Sequence, residues 1–503
     1  MFKHRLSKIG KASLVVACML LVGGSFVSCE DDYFYDDKEP SWLGASIYNF
    51  LETGSPGHTY ANFVELIDSL GEKETLAHTG SKTLFVADDA AFKRFFENNP
   101  WGVKSISEMS RAQMKILLYS SMLDNAMLLE MLSSVGAEEG DRGRCLRRNT
   151  SSAVVDTISL TNESPAYNKF WDALRGTGEE YLRLAKDGTR PMMVHFLPEY
   201  LKNKNVKASD IEFLFRKNGE QTNTFQDGEA SIFGSKLVAS DVPTGTFSDD
   251  TMTITCKNGY IYRLDNVLLP PSNMAEELRR HEDTKIFSHL LDRFCIPVYD
   301  AALTAEYRSV HNVEDSVFRL RYFAKEHFTT YSELKAGQAP ASTELLAFDP
   351  GWNQINNSLD ATQDMAAMFV PKDDVLYTYF VEGAGKFLID EFAPDVVVTD
   401  YASLMEALDC VPESNIAPLL NNLMKPSFVD TVLSKFEKIT DDANDEMGIR
   451  GEHVEECVIE NNGVIYILNN VFGPAKYLAV SAPTMVFGNM NIMERVIEDL
   501  KYN

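Results

Sequence analysis

Three stretches of this chain carry residue types that could do chemistry, but none has the spacing that the chemistry requires. Residues 80–83 end like a phosphate-binding loop, yet they lack the glycine before the lysine and the upstream glycine spacing. Residues 441–448 have the acidic composition of a calcium loop, but the glycine falls at the wrong position. Residues 452–457 offer histidine, cysteine and carboxylates, which would alternate between the two faces of a strand. We therefore predict no catalytic residue, no metal and no cofactor.

The composition restricts the classes of molecule that this protein is expected to bind. The formal net charge is −27, so the surface should repel nucleic acid and anionic lipid. Beyond the N-terminal segment, the cysteines are scattered and form no C-x-x-C pair, which favours buried free thiols over a disulfide framework or a zinc site. Carboxylates are too abundant to single out a glycosidase pair. No nucleic-acid role and no enzymatic role is predicted.

Two short patterns occur twice, and the elements that they imply organise the chain. An Asn-Gly turn followed by an alternating strand appears at 258–267 and again at 462–471. Upstream of each copy lies a strand that leads into a helix, at 83–92 and at 368–376. A pair of motifs repeated in the same order indicates a tandem of similar modules rather than one large enzyme fold.

The residues of these motifs have ordinary folding roles. Asn-Gly should supply a positive φ for a tight turn, and an aspartate after each upstream strand should cap a helix. We therefore predict structural roles for eight motif residues: Asp89, Phe92, Asn258, Gly259, Asp265, Asp373, Asn462 and Gly463.

The paired motifs resemble the two signature segments of fasciclin-like (FAS1-type) domains. The resemblance implies an α+β fold in which each module is a short β-sandwich or wedge flanked by helices. The histidine of the family's second segment is Tyr262 in one copy and Tyr466 in the other. The family's Tyr-His pair, associated with receptor adhesion in animal members, appears as Tyr119-Ser120, which argues against that mechanism.

The motif positions divide the chain into segments. We predict module 1 at 46–272, with an insertion at about 160–228, and module 2 at 283–477, with extra length at about 308–364. Insertions of this kind commonly lie on the surface of a scaffold and carry its specificity. Residues 485–503 contain a helical pattern that resembles the start of a further module.

The N-terminus has the pattern of a lipoprotein signal peptide. Residues 1–28 have four basic residues and a short apolar run, and they end at Phe26-Val27-Ser28-Cys29, which resembles a bacterial lipobox. The resemblance implies a Gram-negative lipoprotein with a lipid on Cys29, palmitate among its acyl chains, and membrane lipid as a partner. Residues 29–45 are an acidic tether, and an acidic run after such a cysteine resembles an export signal to the outer leaflet. We expect a lipid-anchored outer-membrane protein that faces outward.

These features together favour binding over catalysis. The first hypothesis is a cell-surface binding or adhesion protein that contacts a protein or glycan ligand through its insertions. The second is an accessory subunit of an outer-membrane glycan-capture complex, and the third is a hydrolase that acts on polysaccharide. Glycan binding needs exposed aromatic rings, and the candidates are Trp352, in a predicted turn, and Tyr181.

Overall fold

The computed structural model describes most of the chain between residues 44 and 478. The described ranges are 44–78, 80–136, 138–151, 160–161, 183–185, 192–239, 252–325, 345–351, 361–478 and residue 496. The signal peptide, almost all of the tether and, apart from Val496, the C-terminal helical pattern lie outside these ranges.

The helices are short, and several begin at a polar residue, such as Ser46, Ser110 or Asp300, whose side chain accepts a free amide proton of the first turn. They are α1 Ile47–Thr53, α2 Ala61–Leu70, α3 Lys73–His78, α4 Asp89–Glu97, α5 Arg111–Ser120, α6 Leu129–Leu132, α7 Pro198–Asn203, α8 Ala208–Phe213, α9 Met274–Arg280, α10 Lys285–Asp292, α11 Ala301–His311, α12 Asp373–Val381, α13 Lys386–Phe392, α14 Tyr401–Asp409, α15 Glu413–Leu423 and α16 Ala475–Leu478. Single 3₁₀ turns occur at Ile106–Glu108, Glu139–Asp141, Val429–Thr431, Leu433–Lys438 and Gly451–His453.

The strands are also short, and the four strands of the repeated motifs have six residues each. They are β1 Lys82–Ala87, β2 Met122–Leu123, β3 Arg147–Asn149, β4 Leu160–Thr161, β5 Arg183–Ala185, β6 Met192–Phe196, β7 Arg216–Lys217, β8 Glu220–Gln221, β9 Ser231–Ile232, β10 Ser235–Val238, β11 Thr253–Cys256, β12 Gly259–Leu264, β13 Cys295–Tyr299, β14 Val317–Tyr322, β15 Ala361–Thr362, β16 Ala366–Pro371, β17 Met424–Lys425, β18 Val454–Glu460 and β19 Gly463–Leu468. Helices and small sheets together make the predicted α+β class.

Each half of the chain is built on one parallel strand pair. In the first half β1 pairs with β12, and in the second half β16 pairs with β19. The registers are equivalent, because Lys82 pairs with Gly259 as Ala366 pairs with Gly463. The repeated upstream and downstream motifs are therefore neighbours in each sheet.

The strand beside the pair differs between the halves. In the second half β18 runs along the whole of β19, with a bulge between Val454 and Glu456. In the first half β11 covers the start of β12 and β10 covers its last two residues. The break falls between the partners of Tyr262 and Arg263, and the bulge of the second half lies one residue further along, between the partners of Ile467 and Leu468.

Described parts of both insertions contact the other half of the molecule, a packing that the sequence did not predict. β15, just before the second half's parallel pair, extends the first half's sheet by pairing with β3. β5, from the first insertion, pairs in parallel with β14, from the second. Phe196 and Phe213 pack against Phe428 and Phe436 at ring-centroid distances of 5.9 Å each. Short elements such as these bury apolar surface only against a partner, and here the partner is the other half.

The apolar core follows from this arrangement. One cluster lies under the helices of the first half, and a second lies on the opposite face of β1 and β12. The largest cluster combines the second half's core with residues from α7 and α8 of the first half. The described residues from Ala45 onward consequently form one compact unit.

Candidate functional site: the carboxyl ends of the paired strands

The Asn-Gly pair of the first half fastens the closing strand to the first helix. The Asn258 side-chain oxygen accepts a hydrogen bond from the Ile47 amide at 2.8 Å, and its nitrogen donates to the Leu76 carbonyl oxygen at 2.8 Å. Gly259 has φ +149°, and a Cβ atom there would lie 1.8 Å from the Lys82 carbonyl oxygen. The glycine is needed here both for its backbone angle and for the close approach of β1.

The second half repeats this arrangement with one difference. Asn462 accepts from the Met274 amide at 3.0 Å and donates to the Pro350 carbonyl oxygen at 2.8 Å. Gly463 has no positive φ, so the predicted reason for that glycine is wrong. It is required because a Cβ atom would lie 2.6 Å from the Ala366 carbonyl oxygen and 2.5 Å from the Met274 sulfur.

The first motif's aspartate caps a helix, but not the helix that it begins. Asp89 accepts hydrogen bonds from the amides of Ala61, at 3.0 Å, and Asn62, at 2.9 Å, in the first turn of α2. The cap of α4 is Asp88, which accepts from the Ala91 amide at 2.9 Å. Burial alone would raise the Asp89 pKa, but these amide bonds to the charged form lower it below the ordinary value.

Asp373 has the equivalent position in the second half. Its two oxygens accept from the amides of Lys285, at 3.0 Å, and Ile286, at 2.7 Å, at the start of α10. Here burial outweighs the amide bonds, and the Asp373 pKa is raised above the ordinary value. The same contact therefore carries opposite pKa shifts in the two halves.

The other two motif residues also contact the scaffold. Phe92 packs edge-on against Phe63 at a centroid distance of 6.2 Å and is buried in the first half's core. Asp265, directly after β12, accepts a hydrogen bond from the Lys236 amide at 2.8 Å. The eight motif residues thus bond or pack within the fold where the structure describes them.

The sequence candidates for ligand contact and anchoring fall elsewhere. Trp352, Tyr181 and Cys29 lie outside the described residues. Among the described cysteines, four are buried free thiols and Cys410 is an exposed one. Within the same ranges, no helix is long and apolar enough to cross a bilayer. No group of three or more His, Cys, Asp or Glu side chains in the described residues could hold a metal ion.

A cysteine and a histidine meet in the core of the first half. The Cys145 sulfur lies 3.9 Å from Nε2 of His195, and both residues are fully buried. Burial raises the pKa of the thiol, and burial together with the charge of Arg148 lowers the His195 pKa to about 3. A neutral thiol beside a neutral imidazole is not an activated nucleophile, because reaction needs the thiolate. The pair belongs to the core.

An unusual polar cluster lies near the carboxyl end of β12. Arg263 is 4% exposed, and it donates one hydrogen bond, to the carbonyl oxygen of Ala239. Tyr60, at the start of α2, is 1% exposed, and its hydroxyl lies beside Ser55 and Arg263. The polar ends of these three side chains therefore face one another in the buried interior.

Sequence reasoning missed this cluster, although one signal was present. The equivalent of Arg263 in the second half is Ile467, because Val86 pairs with Arg263 as Val370 pairs with Ile467. An arginine at an inward position where the repeat has an aliphatic side chain marks a local polar environment. Tyr60 is likewise replaced by Thr284, which bonds locally to a carbonyl oxygen at 2.9 Å.

Comparisons with known proteins add little to this geometry. No family model and no curated protein matches the chain. Among solved structures, it is similar to a FAS1 domain pair from the insect cell adhesion molecule fasciclin I, with 12% sequence identity. The likeness covers 84% of this chain and 100% of that chain, with a TM-score of 0.23. At that TM-score the two chains do not superpose closely as wholes.

Proposed function

We propose that this protein is a lipid-anchored, non-enzymatic binding protein of the cell surface, organised as two fasciclin-like modules. The observation that carries the proposal is the engagement of the repeated motifs. Their polar residues bond to backbone atoms that fasten strands to helices, as Asn258 and Asn462 do. A scaffold whose repeated residues hold the fold together leaves ligand binding to variable segments, which is how many surface modules work.

Part of each insertion is occupied by packing between the halves. The described stretches of both insertions contact the other half of the molecule. We infer that other insertion residues contact the ligand, and Trp352 and Tyr181 remain the aromatic candidates from the sequence. An aromatic ring flanked by polar groups can bind a glycan ring or an apolar protein side chain.

The anchor is tested by fractionation. In the source cell type, the wild-type protein should stay with the membrane after a carbonate wash, and Cys29→Ala protein should appear in the soluble fraction. Cys410→Ala is the matched control, because it removes an exposed thiol that has no proposed lipid. Membrane retention of the Cys29→Ala protein would remove the anchor from the proposal.

The binding role is tested by mild cross-linking and affinity purification of the tagged, lipidated protein, followed by mass spectrometry. Stoichiometric recovery of an outer-membrane transporter would favour the accessory-subunit alternative over a free-standing adhesin. Recovery of the protein alone would favour the adhesin and direct the soluble ectodomain to glycan and matrix-protein arrays. Carboxylate-dependent turnover of a polysaccharide by purified residues 30–503 would contradict the non-enzymatic assignment.

A further inference from the structure

An exposed apolar segment leads into α14 in the second half. Among the described residues, Val397 is the most exposed large apolar side chain, at 79%, and Tyr401, four residues further along, is 42% exposed. Val396 and Val398, on either side of Val397, pack against the core. Because both neighbours are held inward, Val397 is held outward. Apolar side chains that are fixed in water gain free energy when a partner covers them.

Local hydrogen bonds fix the shape of this segment. The Val396 amide donates to the Ala393 carbonyl oxygen at 3.1 Å. The Thr399 amide donates to Ser403 Oγ at 2.9 Å. Asp400 accepts from the Ser403 amide at 2.8 Å and so caps α14. A surface whose shape is already fixed loses little conformational entropy when a partner binds to it.

Tyr401 belongs to an aromatic pair. Its ring centroid lies 5.6 Å from that of Tyr377, in α12, at an interplanar angle of 53°. Tyr377 is half-buried and packs against the core, so it holds the exposed ring in place. The equivalent of Tyr377 in the first half is Lys93, because each lies four residues after the aspartate that caps an earlier helix. The aromatic pair is therefore specific to the second half.

Carboxylates lie beside this aromatic pair. Asp374 is exposed and lies three residues before Tyr377 in α12, which places the two side chains on one face of the helix. Asp400, directly before Tyr401, is also exposed. Neither carboxylate forms an ion pair with a described residue. Partial burial and then the negative charge of Asp374 raise the pKa of Tyr401 above its ordinary value. A negative potential therefore surrounds the rings.

The chemistry of the surface selects one kind of occupant. A lysine or arginine side chain can lie over a tyrosine ring and also pair with a neighbouring carboxylate. A neutral glycan would cover the carboxylates without supplying a counter-charge. A second copy of this chain is a poor match, because two molecules of charge −27 repel each other. The charges therefore favour a basic partner.

We propose that Val397, Tyr377 and Tyr401 form a docking surface for a basic segment of a partner protein, in which lysine or arginine alternates with apolar side chains. The apolar side chains pack on Val397 and the rings. The cationic groups lie over Tyr401 and pair with Asp374 and Asp400. The inference rests on the binding role proposed above, but on neither the lipid anchor nor the insertions.

The probe is a fluorescently labelled peptide of alternating arginine and leucine, titrated into the purified full-length protein and followed by anisotropy. Comparison peptides replace every arginine with glutamate, or every leucine with serine. We expect saturable binding of the arginine–leucine peptide, and binding weaker by about tenfold or more for each comparison peptide. Its affinity should fall as the sodium chloride concentration rises, because salt screens exposed charges.

Variants of the surface should lose affinity to different extents. Tyr401→Ser and Val397→Ser should each weaken binding by about tenfold, as loss of a central interface contact does. Tyr377→Lys, which installs the first half's residue, should weaken binding further, because it removes a ring and adds a charge that repels the peptide. Asp374→Asn should cost less affinity but reduce the dependence on salt.

The matched control is Tyr299→Ser. Tyr299 is 50% exposed and also lies against a second ring, that of Phe318, at a centroid distance of 6.0 Å. The carboxylate next to it, of Asp300, is already paired with Arg319 at 3.2 Å. This variant should bind the peptide as wild type does. The melting temperature of each variant separates lost binding from lost folding.

Four outcomes would overturn the proposal. Equal affinities of wild type and Tyr401→Ser would place the bound peptide elsewhere. Equal binding of the serine and leucine peptides would show that charge alone attracts them. A wild-type dimer that Tyr401→Ser dissociates, measured by sedimentation, would assign the surface to a second copy. If affinity purification recovers a partner that Tyr401→Ser protein retains, the proposed binding role stands and only this surface is wrong.

Discussion

The two halves of the molecule share a strand pair and its fastenings but differ in what surrounds them. In both, an Asn-Gly turn leads into the closing strand of a parallel pair, and an aspartate after the other strand of the pair caps an earlier helix. Both also stack an aromatic pair across the strands: Phe85 on Tyr262 at 5.4 Å, and Phe369 on Tyr466 at 4.9 Å. These common contacts are what the scaffold requires.

The differences show where the scaffold is free to change. The residue before the capping aspartate is Asp88 in one half, where it caps α4, and Lys372 in the other, where it pairs with Glu455 at 3.1 Å. The inward residue late in the closing strand is arginine in one half and isoleucine in the other. Equivalent substitutions at a shared contact should therefore destabilise the protein in whichever half they are made. A substitution at a position that differs should affect only the half that carries it.

The largest expected effect is at the glycines. Gly259→Ala should lower the free energy of unfolding by more than about 4 kcal/mol, since it adds a backbone clash at a strained backbone angle. Gly463→Ala should cost less, because its φ is ordinary and the Met274 side chain can move. Urea unfolding checks the order, and Gly80→Ala, with open space around it, is the control. Equal losses at the two glycines would contradict the difference between the halves.

The next largest loss of stability should occur at the two asparagines that fasten the closing strands. It tests whether the two halves are equivalent at this contact. Asn258→Ala and Asn462→Ala each remove two hydrogen bonds and leave buried backbone groups unpaired, at a cost of about 3 kcal/mol each. The two losses should agree within error, because both side chains are 4% exposed and make the same pair of contacts. A loss confined to one variant would show that only one half depends on its fastening.

Loss of a hydrogen-bonded contact between the halves should have a smaller effect on stability than loss of an asparagine fastening. Asp210, in α8, accepts from the Ser434 amide and hydroxyl at 2.7 and 2.8 Å. Asp210→Ala should lower the free energy of unfolding by about 2 kcal/mol, because Ser434 is exposed enough for water to replace part of the loss. Asp227→Ala, at an exposed position, is the matched control. A variant as stable as wild type would mean that this contact does not join the halves.

The smallest effect concerns the two capping aspartates and pH. The Asp89 pKa is lowered, so its stabilisation is present above the unfolded value of 3.8 and is lost as pH falls through the folded pKa. The Asp373 pKa is raised, so stability falls as pH rises from 3.8 through the folded pKa. With solvent screening, each effect should stay below about 1 kcal/mol.

Asp→Asn variants distinguish the two opposite dependences of stability on pH. As pH rises from 3 to 6, Asp89→Asn should lose stability relative to wild type, whereas Asp373→Asn should gain. Urea unfolding at a series of pH values measures both differences. Parallel slopes would show that the two caps have the same electrostatic environment.

The sequence predicts the α+β class and the repeated strand pairs because both depend on local patterns. Alternation and Asn-Gly indicate the strands, and their repetition indicates which strands are equivalent. The capping of a distant helix by Asp89 could not be read in this way, because an aspartate after a strand predicts the cap of the helix that follows it. Asp88 takes that nearer role, which leaves Asp89 for α2.

The position of the insertions could not be predicted either. A short strand such as β5 or β15 carries no signal for its partner, which lies far away in the sequence. The polar cluster around Arg263 also depends on a tertiary meeting of three segments. The sequence offered only the arginine's departure from the repeat, which is visible once the two copies are aligned.

The strand that β15 adds to the first half's sheet has a consequence for biosynthesis. A ribosome or an export channel delivers the chain from its N-terminus, yet the first half's sheet is complete only when residues 361–362 have emerged. One edge of β3 stays unpaired until more than two hundred further residues have emerged. Such pairings fold slowly and expose strand edges to misassembly. We therefore expect the nascent first half to need protection, by a holding chaperone, until the second half arrives.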